Sequence, residues 1–172
     1  YRCVVSGACT PTITSSAAIL TVNSLPVITV QPVNQVTCEG TSVSFSVTAL
    51  GSGLTYQWKK NGINITGATS STYTIDSPVI ADAGNYNVVV SGTCTPAVTS
   101  NVFSLTVNTL PAITIHPVSQ VICEEASVSF SVTASGTGLS YQWRKKGINI
   151  IGATASVYTI ASPVIGDEGD YD

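Results

Sequence analysis

Apolar and polar residues alternate along short stretches of this chain, which is the pattern of β-strands that bury one face. Residues 54–62 place Tyr56 and Trp58 on one face and end in the hairpin signal Asn61-Gly62. No stretch shows helical periodicity. We therefore expect an all-β sandwich of seven or eight strands. The predicted strands lie at 27–31, 42–49, 54–60, 63–66, 71–75, 86–90 and 103–107.

The chain repeats itself at a shift of 85 residues. Residues 26–87 and 111–172 are identical at 42 of 62 positions, and Trp58 recurs as Trp143. Such high identity indicates recent duplication of one structural unit. The prediction is therefore a row of small β-sandwiches and not one large domain.

Residues 1–23 repeat as 86–108, so they correspond to the end of a repeat. We divide the chain into the tail of a preceding repeat (1–23), a complete repeat (24–108) and a repeat without that tail (109–172). One explanation is a segment of a longer tandem array. The alternative is that copies of the chain complete each other by strand exchange, with 1–23 as the donated segment.

Composition limits the classes of function. Charged residues make up 9% and hydrophobic residues 44%, which excludes a disordered tail, and the net charge of −3 argues against nucleic acid binding. No run of eighteen apolar residues is present to span a membrane. Five cysteines without a Cys-x-x-Cys pair argue against zinc and favour disulfides, which indicates an oxidising compartment outside the cytosol.

The complete repeat resembles the immunoglobulin fold. Trp58 follows a glycine turn, Asp82-x-Gly84-x-Tyr86 resembles the tyrosine corner, and the last strand ends in Leu105-Thr106-Val107. The resemblance implies tandem immunoglobulin-like β-sandwiches.

In that family two core cysteines join the sheets, and the matching positions here are Val47 and Val88. Cys3, two residues after Tyr1, keeps the cysteine in the preceding repeat. Because Trp58 then has no disulfide to pack against, we expect it to anchor the two sheets by itself.

More narrowly, the repeat resembles immunoglobulin-like modules of large secreted and cell-surface adhesin proteins of gliding bacteria of the Bacteroidota. The resembling residues are Tyr56-Gln57-Trp58-Lys59-Lys60-Asn61-Gly62, Gly67-Ala68-Thr69, Tyr73-Thr74-Ile75, Asp82-Ala83-Gly84-Asn85-Tyr86 and Leu105-Thr106-Val107-Asn108. Such modules serve as spacers, adhesive tips or enzyme appendages, so the resemblance implies an extracellular location but not one function.

The remaining cysteines are Cys38 and Cys94, with their equivalents Cys123 and Cys9. In a sandwich of this kind Cys38 and Cys94 are expected on the order of 20 Å apart, too far for a disulfide within one repeat. We expect disulfides between successive repeats. A bond within one repeat and free thiols remain the alternatives.

Five of the six basic residues cluster at the turn after the tryptophan strand: Lys59, Lys60, Arg144, Lys145 and Lys146. Repeated along a rod, they could contact anionic polysaccharide or lipopolysaccharide. The competing interpretation is a solvated hairpin whose charges prevent edge-to-edge aggregation.

Two further features resemble chemical sites. Calcium prefers several carboxylate oxygens. The last repeat has an acidic set, Asp167, Glu168, Asp170 and Asp172. The complete repeat keeps only one equivalent of this set, Asp82, so we expect no metal and no cofactor. His116 replaces Gln31 on an edge strand, and the only histidine of the chain forms no triad with its many serines and threonines.

The function that the sequence favours is a non-catalytic stalk or filament segment of an extracellular bacterial adhesin or surface fibre. Its partners would be neighbouring repeats or other copies of the chain. The alternatives are a glycan- or surface-binding module that uses the basic turns, and an accessory module of a secreted enzyme.

Overall fold

The computed structural model describes all 172 residues, and nearly all of its regular structure is β-strand. Its helical elements are the two 3₁₀ turns Ile80–Asp82 and Ile165–Asp167. The all-β prediction is therefore confirmed. Two compact units are distinguished: the first comprises 1–34, 44–74 and 84–104, and the second comprises 35–43, 75–83 and 105–172.

Residues 1–23 form a small antiparallel pair, β1 (Val4–Val5) and β2 (Ile13–Thr14), and every side chain in this segment is exposed. The backbone nitrogen of Tyr1 donates to the carbonyl of Ala18 at 2.7 Å. The register pairs Val4 with Thr14. The equivalent residues of the complete repeat, 85 positions later, pair in the same register, with Val89 opposite Thr99.

The complete repeat contains ten strands: β3 (Val27–Val30), β4 (Gln35–Cys38), β5 (Val43–Ser46), β6 (Thr48–Leu50), β7 (Thr55–Lys60), β8 (Ile63–Asn64), β9 (Thr72–Ile75), β10 (Gly84–Ser91), β11 (Val98–Thr99) and β12 (Phe103–Asn108). One sheet has the order β4-β12-β10-β7-β8, with β11 on β10. Strand β3 pairs with β6, and β5 pairs with β9. Buried residues alternate with more exposed ones in strands β5, β10 and β12, as the sequence pattern predicts.

Strand β4 was not predicted from the sequence. It pairs with β12 in parallel, so that Gln35 lies opposite Leu105 and Cys38 opposite Asn108. The tryptophan strand β7, by contrast, pairs antiparallel with both β10 and β8. No residue of β4 is fully buried, so this strand carries a weak hydrophobic signal.

The turn after the tryptophan strand is a two-residue hairpin between β7 and β8, as predicted. Asn61 and Gly62 have φ angles of 49° and 83°, the left-handed region in which asparagine and glycine are favoured. Asn61 also accepts a hydrogen bond through Oδ1 from the backbone nitrogen of Asn85, at 3.1 Å. Local sequence and a contact with β10 therefore stabilise the same turn.

The last repeat contains β13 (Ala112–Ile115), β14 (Val128–Ser131), β15 (Thr133–Ser135), β16 (Arg144–Lys145), β17 (Ile148–Asn149) and β18 (Val157–Ile160). These strands form three antiparallel pairs, β13 with β15, β14 with β18 and β16 with β17. Trp143 is only 3% exposed, but Phe130 is half-buried whereas its equivalent Phe45 is 2% exposed. Phe103, which contacts Phe45, has no counterpart within 109–172.

Candidate functional site

The core of the complete repeat is an aromatic cluster. Trp58 is fully buried, and its ring centroid lies 6.4 Å from that of Phe45, 6.2 Å from Tyr73 and 6.1 Å from Phe103. Tyr86, at 2% exposure, also packs on Phe45, at 5.3 Å. The expectation that Trp58 anchors the sheets by itself is therefore wrong, because five aromatic rings share the core.

Val47 and Val88 occupy the positions at which the resemblance places core cysteines. Both are buried, at 4% and 0% exposure. The backbone nitrogen of Val88 donates to Oγ of Ser100, a buried serine whose hydroxyl donates to the carbonyl of Asn101. Ser100 was not predicted from the sequence. The sequence feature that could have identified this residue is the serine at the equivalent position of the preceding repeat. That residue is Ser15, whose Oγ accepts a hydrogen bond from the backbone nitrogen of Cys3.

The structural role of Gln57 was likewise not predicted from the sequence. Its side-chain nitrogen donates to the carbonyls of Trp58 and Ile65, both at 2.9 Å. Gln142 makes the equivalent bonds at 2.9 and 2.8 Å in the last repeat. The glutamine that precedes each tryptophan therefore ties the tryptophan strand to the segment after the hairpin.

Two of the three basic residues at the turn of the last repeat are engaged within the fold. Arg144 pairs with Asp172, and Lys145 lies 3.5 Å from Asp167 and donates to the carbonyl of Gly166 at 2.7 Å. In the complete repeat the ammonium of Lys60 lies 5.9 Å above the ring of Tyr86. Lys59 and Lys146 make no ion pair. The structure thus leaves fewer cations for an external ligand than the sequence suggests.

The acidic stretch of the last repeat supports the corner turn. A carboxylate oxygen of Asp167 accepts from the backbone nitrogen of Val164 at 3.1 Å, and Asp82 does the same for Val79 at 2.9 Å. The hydroxyl of Tyr171 donates to the carbonyl of Asp167 at 2.7 Å, which is the hydrogen bond of a tyrosine corner. No three histidine, cysteine, aspartate or glutamate residues are grouped closely enough to hold a metal ion.

A family comparison agrees with these features. Residues 26–92 match the family described as "Immunoglobulin domain". The fold is immunoglobulin-like. The titin I-band fragment I67–I69 superimposes with a TM-score of 0.72 at 18% identity, covering 88% of this chain and 60% of the titin fragment. The prediction of tandem immunoglobulin-like sandwiches is confirmed.

Two curated relatives come from bacteriophages. The chain is 30% identical to the "Highly immunogenic outer capsid protein" of Enterobacteria phage T4 over 144 residues, which is 75% of this chain and 38% of that protein. It is 38% identical to the "Decoration protein" of Escherichia phage T5 over 72 residues, 41% of this chain and 44% of that protein. The immunoglobulin-like chain thus spans less than half the length of these relatives.

All five cysteines of the immunoglobulin-like chain are free thiols in the structure: Cys3, Cys9, Cys38, Cys94 and Cys123. Cys94 is half-buried and the others are exposed. The disulfides expected from the sequence therefore remain a prediction. His116 is exposed on the segment that follows β13, and no helix of the structure is long and apolar enough to cross a membrane.

Proposed function

We propose that this chain is a non-catalytic structural segment of a protein displayed on the outer surface of a virion. Its immunoglobulin-like repeats would act as spacers that hold more distal parts away from the capsid. The similarity to an outer capsid protein and a decoration protein carries this proposal. Near-identical repeats suit a spacer, because duplication lengthens the protein without a new fold.

Several polar side chains of both repeats are hydrogen-bonded to the protein's own backbone, which supports a structural role. The carboxylates of Asp82 and Asp167 bind backbone nitrogens in the corner turns, and Ser100 hydrogen-bonds within the core. Gln57 and Gln142 bind backbone carbonyls beside the tryptophans. These side chains stabilise the two repeats, and this role is consistent with a structural function.

Immunogold labelling with antibodies against residues 24–108 would test the proposal on virions and on the cells that produce the protein. We expect label on the outer surface of virions. Label on the cell surface instead would support the bacterial adhesin or surface-fibre alternative that the sequence resemblance implies. Label confined to the cytoplasm would overturn both proposals.

The sequence of the full-length protein tests a further alternative. An adjoining catalytic domain would favour an accessory module of a secreted enzyme.

A glycan-binding role is a second candidate, and Lys59 and Lys146 are the observation in its favour, because neither makes an ion pair. Lys146 lies in the hairpin turn of the last repeat, and Lys59 lies on β7, two residues before the turn of the complete repeat. If these residues bind anionic polysaccharide, Lys59→Glu together with Lys146→Glu should abolish retention on a glycan array. Lys60→Glu is the internal comparison, since Lys60 already lies over Tyr86. Unchanged retention of the double variant would contradict this candidate.

A further inference from the structure

Cys94 contacts the residue that ends the preceding repeat. Its thiol lies 3.5 Å from the backbone carbonyl oxygen of Asn23 and donates to it. Cys94 belongs to the loop between β10 and β11, and Asn23 is the final residue of the tail of the preceding repeat. A loop cysteine of one repeat therefore lies against the last residue of the repeat before it.

Cys38 lies beside the equivalent asparagine of its own repeat. Asn108 is Asn23 shifted by 85 residues. Cys38 is the register partner of Asn108 in the parallel pair of β4 and β12, a spacing of about 4.8 Å between strands. The backbone nitrogen of Glu39 donates to the carbonyl oxygen of Asn108 at 2.9 Å. The carbonyl oxygen of Asn108 thus accepts a hydrogen bond from the residue that follows Cys38. The equivalent carbonyl oxygen of the preceding repeat, that of Asn23, contacts the thiol of Cys94.

We propose that a disulfide joins each repeat to the next one at this asparagine. One partner is the cysteine of the β4 position, represented by Cys38 and Cys123. The other is the loop cysteine of the following repeat, represented by Cys9 and Cys94. Both would lie against one carbonyl group, so the two cysteines would be neighbours, and the disulfide requires that their Cα atoms come within about 7 Å of each other.

The bond forms when two thiols release two protons and transfer two electrons to a disulfide oxidant such as oxidised glutathione, which becomes two molecules of the reduced thiol. Within residues 1–172 no β4-position cysteine is followed by the loop cysteine of the next repeat. Cys3 is excluded, because it occupies the position of the core residue Val88. The proposal needs only tandem repeats, so it is independent of a virion location.

A tandem of this chain with itself tests the proposal. Residue 171 is equivalent to residue 1, so a copy of 1–170 followed directly by a copy of 1–172 continues the 85-residue period. One variant keeps Cys38 of the first copy and Cys9 of the second, with every other cysteine changed to serine. A matched control keeps Cys38 and Cys94 of the first copy. Both are incubated with oxidised glutathione, and circular dichroism verifies their β structure.

We expect the first variant to lose both free thiols and to yield one disulfide-linked pair of peptides by mass spectrometry, as a monomer on a non-reducing gel. We expect the control to keep both thiols. A bond within one repeat, in the control, would overturn the proposal. Two free thiols in the first variant would overturn it equally. A variant that keeps Cys123 of the first copy and Cys94 of the second should repeat the positive result at the next junction.

Discussion

The indole nitrogen of Trp58 donates a hydrogen bond to the backbone carbonyl of Ser70 at 2.8 Å, and Trp143 makes the same bond to Ala155 at 2.9 Å. The acceptor lies twelve residues after the tryptophan in both repeats. The bond satisfies the polar atom of a buried ring and ties the tryptophan strand to the segment before β9. Packing and hydrogen bonding therefore fix the position of each tryptophan.

Removing the Trp58 ring should destabilise the complete repeat strongly. Trp58→Ala deletes the centre of the aromatic cluster, and we expect a loss of about 3–5 kcal/mol in the free energy of unfolding. Trp58→Phe keeps a ring but leaves the carbonyl of Ser70 without this donor, so about 2 kcal/mol is expected. Urea unfolding followed by circular dichroism measures both. Ile63→Ala, at a residue 75% exposed, is the control, and an equal loss there would contradict the argument.

The two hairpin turns differ at one residue, and this predicts a difference in stability. Lys146 has a φ of 51° where the complete repeat has Asn61. Asparagine tolerates this region better than lysine, and Asn61 Oδ1 also accepts a bond from Asn85. We expect Lys146→Asn to stabilise the last repeat by about 1 kcal/mol and Asn61→Lys to destabilise the complete repeat by a similar amount. Thermal unfolding of both variants checks the opposite signs, and two changes of the same sign would refute the explanation.

Much of the fold could be predicted because strands that bury one face alternate with a period of two, as β5 and β12 do. Strand β4 was missed because it buries no residue fully and pairs in parallel with β12, far away in sequence. The shared aromatic core was missed for a related reason. The ring centroids of Phe45 and Phe103 lie 4.9 Å apart, although the two residues belong to strands that are far apart in the sequence.

The candidate site was predicted less completely than the fold. Clustering of the basic residues was visible in the sequence, but the pairing of Arg144 with Asp172 and of Lys145 with Asp167 depends on the path of the chain through the second 3₁₀ turn and beyond it. Spacing along the sequence does not report such contacts. Likewise, the meeting of Cys94 with Asn23 joins residues of two successive repeats.

The corner turn should depend on its aspartate. Asp82 accepts a hydrogen bond from the backbone nitrogen of Val79 at 2.9 Å, so Asp82→Ala removes a cap of the 3₁₀ turn. We expect a loss of about 1 kcal/mol, and a smaller loss for Asp82→Asn, whose amide oxygen can accept the same bond. Asp76→Ala, at an exposed aspartate before the turn, is the matched control. Equal denaturant midpoints for Asp82→Ala and Asp76→Ala would show that the cap contributes nothing.

The valine pair should accept the disulfide that it replaces. Val47 and Val88 are both buried, and the resemblance places them where two core cysteines join the sheets. We expect Val47→Cys with Val88→Cys to oxidise within the chain and to raise the stability of the complete repeat by about 2–4 kcal/mol. The control is Val47→Cys with Val90→Cys, because Val90 is equally buried but lies two residues further along β10. Thiol titration and urea unfolding, each with and without reductant, measure the effect. Equal oxidation of the two pairs would show that Val88 is not the specific partner of Val47.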